Sequence, residues 1–178
     1  MKKFKRELLR MFALYVILMA EFVFIFRTVF MLTLVPTGSM DSTIEEGNMV
    51  FATRYDISEE EIERYDILIF IPPDNSDNLD VTYIKRVIGL PGETIEVKDG
   101  KVYADGVELD DSFVKTPMNR KGDGTYVVPE GCYFFMGDNR NQSRDSRFWT
   151  EKYVPGNNIV AKAKCVLFPF RNIQYKKL

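Results

Sequence analysis

The chain has 178 residues, of which 46% are hydrophobic, and a formal net charge of −2 at pH 7. The hydrophobic content excludes a disordered chain, and the length suits one domain of ordinary size with a small additional element. The near-neutral charge argues against nucleic acid as a partner, because phosphate binding requires a strongly basic surface.

The N-terminus combines a basic cluster with a long apolar run. The run extends from Leu8 to Phe26, and the cluster consists of Lys2, Lys3, Lys5, Arg6 and Arg10. As a helix, the run would be roughly 28 Å long, close to the bilayer's hydrocarbon thickness of about 30 Å. We therefore predict a transmembrane anchor over residues 8–27. Residues 1–7 would stay in the cytoplasm because of their positive charge, which places residues 28–178 outside the cytoplasm.

A secretory signal peptide that is later removed also begins with positive charge and an apolar core. Such a peptide ends in small residues at its cleavage site, whereas residues 24–31 are mostly large and contain no Ala-x-Ala sequence. We therefore expect the segment to be retained as an anchor. Glu21 is the acidic residue within the run, and its burial near mid-bilayer would cost on the order of 3 kcal/mol if it were ionised.

From Asn48 onward the chain predicts short strands rich in β-branched and aromatic residues. These strands are residues 49–53, 67–71, 81–88, 94–97, 101–104, 126–128, 133–136 and 159–167. The dipeptides at 99–100 and 105–106 are Asp-Gly, which favours tight hairpins because both residues tolerate positive φ. We expect a small hairpin subdomain near residues 98–128. Residues 58–64 indicate a single helical turn.

The absence of His from the chain restricts any serine chemistry that it performs. A serine nucleophile needs a neighbouring base, and without imidazole the candidates are a carboxylate or a neutral lysine amine. Two segments otherwise look like the halves of a serine hydrolase, residues 36–40 (Pro-Thr-Gly-Ser-Met) and residues 83–92 (Tyr-Ile-Lys-Arg-Val-Ile-Gly-Leu-Pro-Gly). The sequence therefore points to a pair formed by Ser39 and Lys85.

Three segments together resemble a known family. They are residues 36–40, residues 83–93, and the polar run that starts with Gly-Asp-Asn-Arg at 137–140 and continues to Arg147. With them the chain resembles bacterial type I signal peptidases, the membrane-bound serine endopeptidases that remove signal peptides from exported proteins. The resemblance spans nearly the whole chain. It implies coiled antiparallel β-sheets, so we expect a mostly β domain on one N-terminal transmembrane helix.

The resemblance also assigns roles to individual residues. It implies that Ser39 is the nucleophile, that Lys85 is the general base and that the Ser143 hydroxyl orients the lysine. Asp145 and Arg147 match the structural ion pair of the family. Asp138 matches a further structural carboxylate beside the site.

The chemistry sets its own requirements on Lys85. A free lysine amine has a pKa of about 10.4, so a base that acts near pH 7 needs burial to lower that pKa. Tyr83, Lys85 and Val87 alternate onto one face of the predicted strand, which surrounds the amine with apolar bulk. A carboxylate beside the amine would favour its charged form, so we expect a hydroxyl as its partner and expect Asp145 to pair with Arg147.

Substrate binding and oxyanion stabilisation follow from the same resemblance. The Ser39 backbone N–H and the Thr37 hydroxyl are the expected oxyanion donors. The resemblance implies an extended peptide bound as an added strand, with shallow apolar pockets for the small residues of Ala-x-Ala. We place Val35, Met40, Tyr83 and Ile84 nearest those pockets. The implied partners are signal peptides and the lipid bilayer of the bacterial cytoplasmic membrane, and no metal or organic cofactor is implied.

Some positions depart from the family pattern or have an open interpretation. Relatives often have Pro where this chain has Ser42, and Gly where it has Tyr65. We expect both departures to affect local turns and not the reaction. Separate core positions are favoured over a disulfide for Cys132 and Cys165. Core packing is likewise favoured over a bilayer-facing patch for Phe148, Trp149 and residues 167–170.

Two other classes of protein remain open from the sequence. A self-cleaving repressor of the Ser-Lys class would cut itself at Ala-Gly or Cys-Gly, and neither dipeptide occurs in the chain. A catalytically silent, membrane-anchored binding domain would make the match at Ser39, Lys85 and Ser143 coincidental. Cleavage of a preprotein substrate distinguishes these classes from the peptidase.

Overall fold

One N-terminal helix precedes a series of short β-strands in the computed structural model, which describes residues 2–54, 61–75, 81–119, 122–167 and 175–177. The helix α1 is Lys2–Val29. The strands are β1 Phe30–Leu34, β2 Met49–Arg54, β3 Ile67–Phe70, β4 Tyr83–Gly89, β5 Thr94–Lys98, β6 Lys101–Ala104, β7 Val107–Glu108, β8 Gly124–Val127, β9 Cys132–Met136, β10 Val154–Pro155, β11 Ile159–Leu167 and β12 Tyr175–Lys177. Short 3-10 turns occupy Gly38–Met40, Pro73–Asn75 and Gly156–Asn158. The prediction of a mostly β fold with one N-terminal helix is confirmed.

Helix α1 is longer than the anchor predicted over residues 8–27. It contains 28 residues, which correspond to roughly 42 Å and exceed the thickness of the hydrocarbon layer. The segment Lys3–Val29 is long and apolar enough to cross a membrane, with a mean hydropathy of 2.2 in its most apolar window. None of that window is buried against the protein. A helix that is apolar and exposed on all sides fits single-pass anchoring in a bilayer.

The helix leads directly into the sheet. Phe30–Leu34, just after the predicted anchor, forms strand β1 and pairs with β2. The Phe30 ring lies 5.3 Å from the Phe26 ring and 5.1 Å from the Phe51 ring, measured between centroids. Arg54 Nε donates a hydrogen bond to the Arg27 carbonyl at 3.1 Å. These contacts tie the end of α1 to the first two strands.

The first sheet includes β4, the strand that carries Lys85. Within the described residues its strand order is β1-β2-β11-β3-β4-β9-β10, with β12 paired to β11, and the pairs are antiparallel. Strand β11 lies between β2 and β3, and its side chains alternate between buried and half-buried positions up to Ala163. The pairing register with β2 shifts between Ala163 and Cys165. Such a bulge bends the strand and increases the twist of the sheet.

The second sheet has the order β7-β6-β5-β8 within the described residues and extends from Thr94 to Val127. It therefore includes β5, which lies mostly before the hairpin expected near residues 98–128. The two Asp-Gly turns have positive φ at all four residues, 51° and 81° at 99–100 and 49° and 82° at 105–106. These values fit the two-residue hairpins that the dipeptides predict.

Hydrophobic clusters cover both faces of the first sheet. One contains Val35, Met40, Ile44, Val50, Ile69 and Ile84, among others. The other contains Leu68, Phe70, Val87, Phe135 and Trp149, and the Phe70 and Phe135 rings stack at 4.2 Å. A third cluster joins Ile88, Phe134 and Met136 to the second sheet. Alternate residues of β3 and β4 thus face different clusters, as the period of a strand requires.

The remaining sequence predictions have mixed outcomes. Trp149 is buried in the core, whereas Phe148 is exposed. Cys132 and Cys165 are free thiols on β9 and β11. Residues 61–64 are not helical. Residues 58–60 of the predicted helical turn and residues 168–170 of the apolar run lie outside the described residues.

Candidate active site

Ser39 lies in the short 3-10 turn Gly38–Met40, which follows β1. The Asn139 backbone N–H donates to the Ser39 carbonyl at 3.1 Å, and Asn139 Nδ2 donates to the Gly38 carbonyl at 3.0 Å. A Cβ added at Gly38 would overlap the Asp41 carboxylate, so a larger residue there would require the Asp41 side chain to move. The turn is therefore held from the segment 137–147, which lies about a hundred residues further along the chain.

Lys85 reaches the nucleophile from strand β4. Its Nζ donates to Ser39 Oγ at 2.6 Å and to the Ile84 carbonyl at 3.0 Å. The lysine is only 5% exposed, and its Nζ lies 5.6 Å from the centroid of the Tyr83 ring. The amine is thus withdrawn from solvent and directed at one hydroxyl.

Burial dominates the electrostatics of this amine. Desolvation lowers the pKa of Lys85 from 10.5 to about 8, although the negative charges of Asp145 and Asp138 act to raise the pKa. A carboxylate paired directly with the amine would cancel the effect of burial. A pKa of about 8 leaves a useful fraction of neutral amine near physiological pH, which a general base requires.

Both nearby carboxylates are engaged by arginines. Arg147 Nε and Nη2 donate to the two Asp145 oxygens at 2.8 Å each, and neither side chain is exposed. Arg86 Nε and Nη2 donate to Asp138 at 2.8 and 2.6 Å. Bidentate guanidinium pairs of this kind fix the carboxylates and offset their charge. The arginines thereby weaken the tendency of both carboxylates to raise the pKa of Lys85.

Ser143 lies beside the site without the bond we expected. The Ser143 Oγ atom is buried and has no hydrogen-bond partner among the residues that the structure describes. Lys85 instead bonds Ser39 and a backbone carbonyl. A Cβ added at Gly137 would overlap both the Ser143 hydroxyl and the Ser39 carbonyl oxygen, so Gly137 lies between them. The absence of a side chain at Gly137 therefore allows Ser143 to lie close to the turn that carries Ser39.

A cleft of about 440 Å³ opens onto the Ser39–Lys85 pair. Its lining residues are Pro36, Thr37, Gly38, Ser39, Asp41, Glu46, Val81, Thr82, Tyr83, Ile84, Lys85, Gln142 and Arg144. Tyr83 and Ile84 thus lie where a substrate would bind. Val35 and Met40 do not line the cleft, because their side chains are 1% and 0% exposed and pack in the hydrophobic core. Thr37 Oγ1 lies 3.4 Å from Ser39 Oγ and donates to it.

One edge of β4 is open toward the cleft. The pairing of β3 with β4 covers residues 83–86 on one side, whereas the pairing of β9 with β4 begins only at Arg86. The described strands therefore leave the backbone at residues 83–85 unpaired on the β9 side. Strand edges of this kind accept an extended peptide as an additional strand.

Sequence reasoning missed several residues that shape the site. Neither the support of the nucleophile's turn by Asn139 nor the pairing of Arg86 with Asp138 was expected. Asn139, Arg86 and Asp138 all lie inside the segments that resemble the family. The sequence therefore showed which polar groups these residues carry, but not which residues they contact. The two departures lie at residues with positive φ, 105° at Ser42 and 76° at Tyr65. For Tyr65, this backbone conformation explains why relatives often carry glycine there.

A serine hydroxyl bonded to a buried amine beside an open cleft is the arrangement of a serine hydrolase. Residues 6–168 match the family model described as "Signal peptidase, peptidase S26". The chain belongs to this signal peptidase family. It is accordingly a serine endopeptidase that acts on signal peptides, and its apolar helix fits attachment to a membrane.

Two individual relatives, both named signal peptidase I, agree with this assignment. The chain is 38% identical over 153 residues to signal peptidase I of Bacillus amyloliquefaciens, with coverage of 81% of this chain and 77% of the relative. It is 34% identical over 143 residues to signal peptidase I of Leptolyngbya laminosa, with 78% and 69% covered. A crystal structure of a signal peptidase I from Enterococcus faecalis is 34% identical, covering 56% of this chain and 94% of that one with a TM-score of 0.46.

Proposed function

We propose that this chain is a membrane-bound endopeptidase that cleaves exported preproteins after Ala-x-Ala, with Ser39 as nucleophile and Lys85 as general base. The observation that carries the proposal is the 2.6 Å hydrogen bond between Lys85 Nζ and Ser39 Oγ. A direct bond is what proton transfer between the two groups needs. The lowered pKa of the buried amine supplies the matching chemistry.

The reaction proceeds in two halves. The neutral Lys85 amine takes the Ser39 proton as Oγ attacks the scissile carbonyl, and the resulting ammonium then protonates the leaving amine. This step releases the mature protein and leaves the signal peptide as an ester on Ser39. Lys85 then activates a water molecule that hydrolyses the ester. The Ser39 backbone N–H and the Thr37 hydroxyl are the proposed donors to the oxyanion.

The substrate lies as an extended strand along the open edge of β4. Peptide backbone bonds to residues 83–85 fix its register, and alternate side chains point toward the floor of the cleft. Tyr83 and Ile84 bound the pockets for the small residues before the scissile bond. The ion pair between Asp145 and Arg147 holds the segment beside Lys85, and the pair between Asp138 and Arg86 holds the strand that carries it.

The proposed location of this reaction is the outer face of a bacterial cytoplasmic membrane. The basic residues at the N-terminus favour a cytoplasmic location for the start of α1. Strand β1 begins directly after α1, and in this topology the catalytic domain would lie on the other side of the bilayer. Signal peptides that cross the membrane would arrive at that surface.

Preprotein cleavage tests the proposal. We expect the purified full chain in detergent micelles to release the mature protein by a cut directly after Ala-x-Ala, as determined by mass spectrometry. Replacing the Ala before the scissile bond by Phe should reduce kcat/KM by about 100-fold or more, because a shallow pocket cannot accept the ring without overpacking. A matched substrate with Phe far downstream should be cleaved normally. Equal cleavage of both substrates, or none of the parent, would contradict the proposal.

A further inference from the structure

A second, smaller cavity adjoins the catalytic cleft. Its volume is about 200 Å³, and its lining residues are Pro72, Asp74, Tyr83, Arg144 and Trp149. Tyr83 and Arg144 line the catalytic cleft as well. Arg144 therefore borders both the smaller cavity and the cleft in which we propose that the peptide binds.

Arg144 is the donor without an acceptor that a ligand in this cavity can reach, among the residues that the structure describes. Arg144 is exposed, and the described part of the chain places no carboxylate within ion-pair distance of its guanidinium. Trp149 is only 3% exposed, and its buried indole Nε1 has no acceptor. Asp74 does not serve either of them, since its two carboxylate oxygens accept the backbone N–H groups of Thr150 and Glu151 at 3.2 and 2.9 Å.

The backbone on either side of Arg144 is firmly held. Ser143 and Asp145 are both buried, and Asp145 accepts hydrogen bonds from Gly137 and from Arg147. Only the side chain of Arg144 extends into the open space between these fixed neighbours. A cation on a rigid support loses less entropy on binding a partner than one on a mobile loop.

We propose that Arg144 is a specificity-determining residue that binds an acidic side chain of the substrate near the scissile bond. The proposal rests on the proposed peptidase function and adds a charge preference to it. Guanidinium groups prefer carboxylates, because their planar N–H donors match the two carboxylate oxygens. Tyr83 precedes Lys85 by two strand positions, or about 6.6 Å. Because Tyr83 lines both spaces, the positions to test lie two or three residues from the scissile bond.

A charge-reversal experiment tests this assignment. Fluorogenic peptides with Asp, Asn or Lys at each position two or three residues from the scissile bond are cleaved by the full chain in uncharged detergent. With the unmodified enzyme, we expect Asp to give a kcat/KM about threefold higher than Lys at one of these positions, the magnitude of an exposed ion pair. In Arg144→Glu the preference should invert, changing the Asp-to-Lys ratio by about tenfold in total. Salt near 0.5 M should reduce both preferences.

Lys98→Glu is the matched control, since Lys98 is an exposed residue of the second sheet that lines neither cavity and undergoes the same change of charge. An unchanged Asp-to-Lys ratio in Arg144→Glu, or the same change in Lys98→Glu, would overturn the inference. Either result leaves the peptidase function intact, because the parent peptide is still cleaved. Failure of the unmodified enzyme to cleave any peptide would instead refute the proposed function itself.

Discussion

Replacing either Ser39 or Lys85 by Ala is expected to abolish cleavage of preproteins, with kcat falling by at least about 10⁴-fold. Ser39→Ala removes the atom that attacks the carbonyl. Lys85→Ala removes the amine bonded to that atom at 2.6 Å, and no imidazole exists in the chain to replace it. Single-turnover cleavage of a labelled preprotein by the full chain in micelles measures both losses.

Two further variants separate the role of the base from a role of charge. Lys85→Arg keeps the positive charge but cannot supply a neutral nitrogen, so we expect it to be as inactive as Lys85→Ala. The double variant Ser39→Ala/Lys85→Ala should be no worse than either single variant, because the two groups act as a unit. Lys98→Ala, which removes an exposed lysine of the second sheet, is the matched control. Substantial turnover by Lys85→Arg would show that the lysine is not the base.

Asp145→Ala is expected to lower the free energy of unfolding by about 3–5 kcal/mol, because the change leaves a buried guanidinium without its partner. The side chains of Asp145 and Arg147 are both 0% exposed, and Asp145 also accepts the Gly137 N–H at 3.0 Å. Urea unfolding of the full chain in micelles measures the loss. Trp149 is the single tryptophan and is buried against Phe70 and Tyr83, so its fluorescence reports on this region.

The control for this variant is Glu108→Ala. Glu108 pairs with Lys101 at 2.6 Å, but both side chains are about half exposed, so the loss should be at most about 1 kcal/mol. Removing both charges of the buried pair, in Asp145→Ala/Arg147→Met, should restore part of the stability, since no unpaired charge remains. Equal losses in Asp145→Ala and Glu108→Ala would show that the buried pair has no special structural role.

Local patterns in the sequence predicted most of the strands. Strand β11 was predicted at its observed bounds of 159–167, and β6 at its observed bounds of 101–104. In both strands the residue character alternates along the chain, and Asp-Gly turns or polar segments flank them and mark their ends. The strand β1 was missed. Its residues continue the apolar run of α1, and an apolar run that changes from helix to strand has no period that marks the boundary.

Contacts between residues that are far apart in the sequence were harder to predict than the motifs themselves. The sequence indicated that Lys85 should be buried near Ser39, and the family resemblance implied the ion pair between Asp145 and Arg147, which the structure contains. The pairing of Arg86 with Asp138 and the support of Ser39 by Asn139 depend on how β4 and the segment after β9 meet in space. Val35 and Met40 illustrate the same point, because side-chain direction in the turn after β1 sends them into the core instead of the cleft.

The pH dependence of kcat/KM for preprotein cleavage tests the central claim, that a neutral Lys85 amine takes the proton of Ser39. Burial lowers the pKa of this amine to about 8, so the active neutral form is lost as the pH falls through that value. We predict that kcat/KM rises about tenfold per pH unit below about pH 8 and levels off above it. A rate that is independent of pH between about 6 and 9, or that falls as the pH rises through 8, would contradict the account.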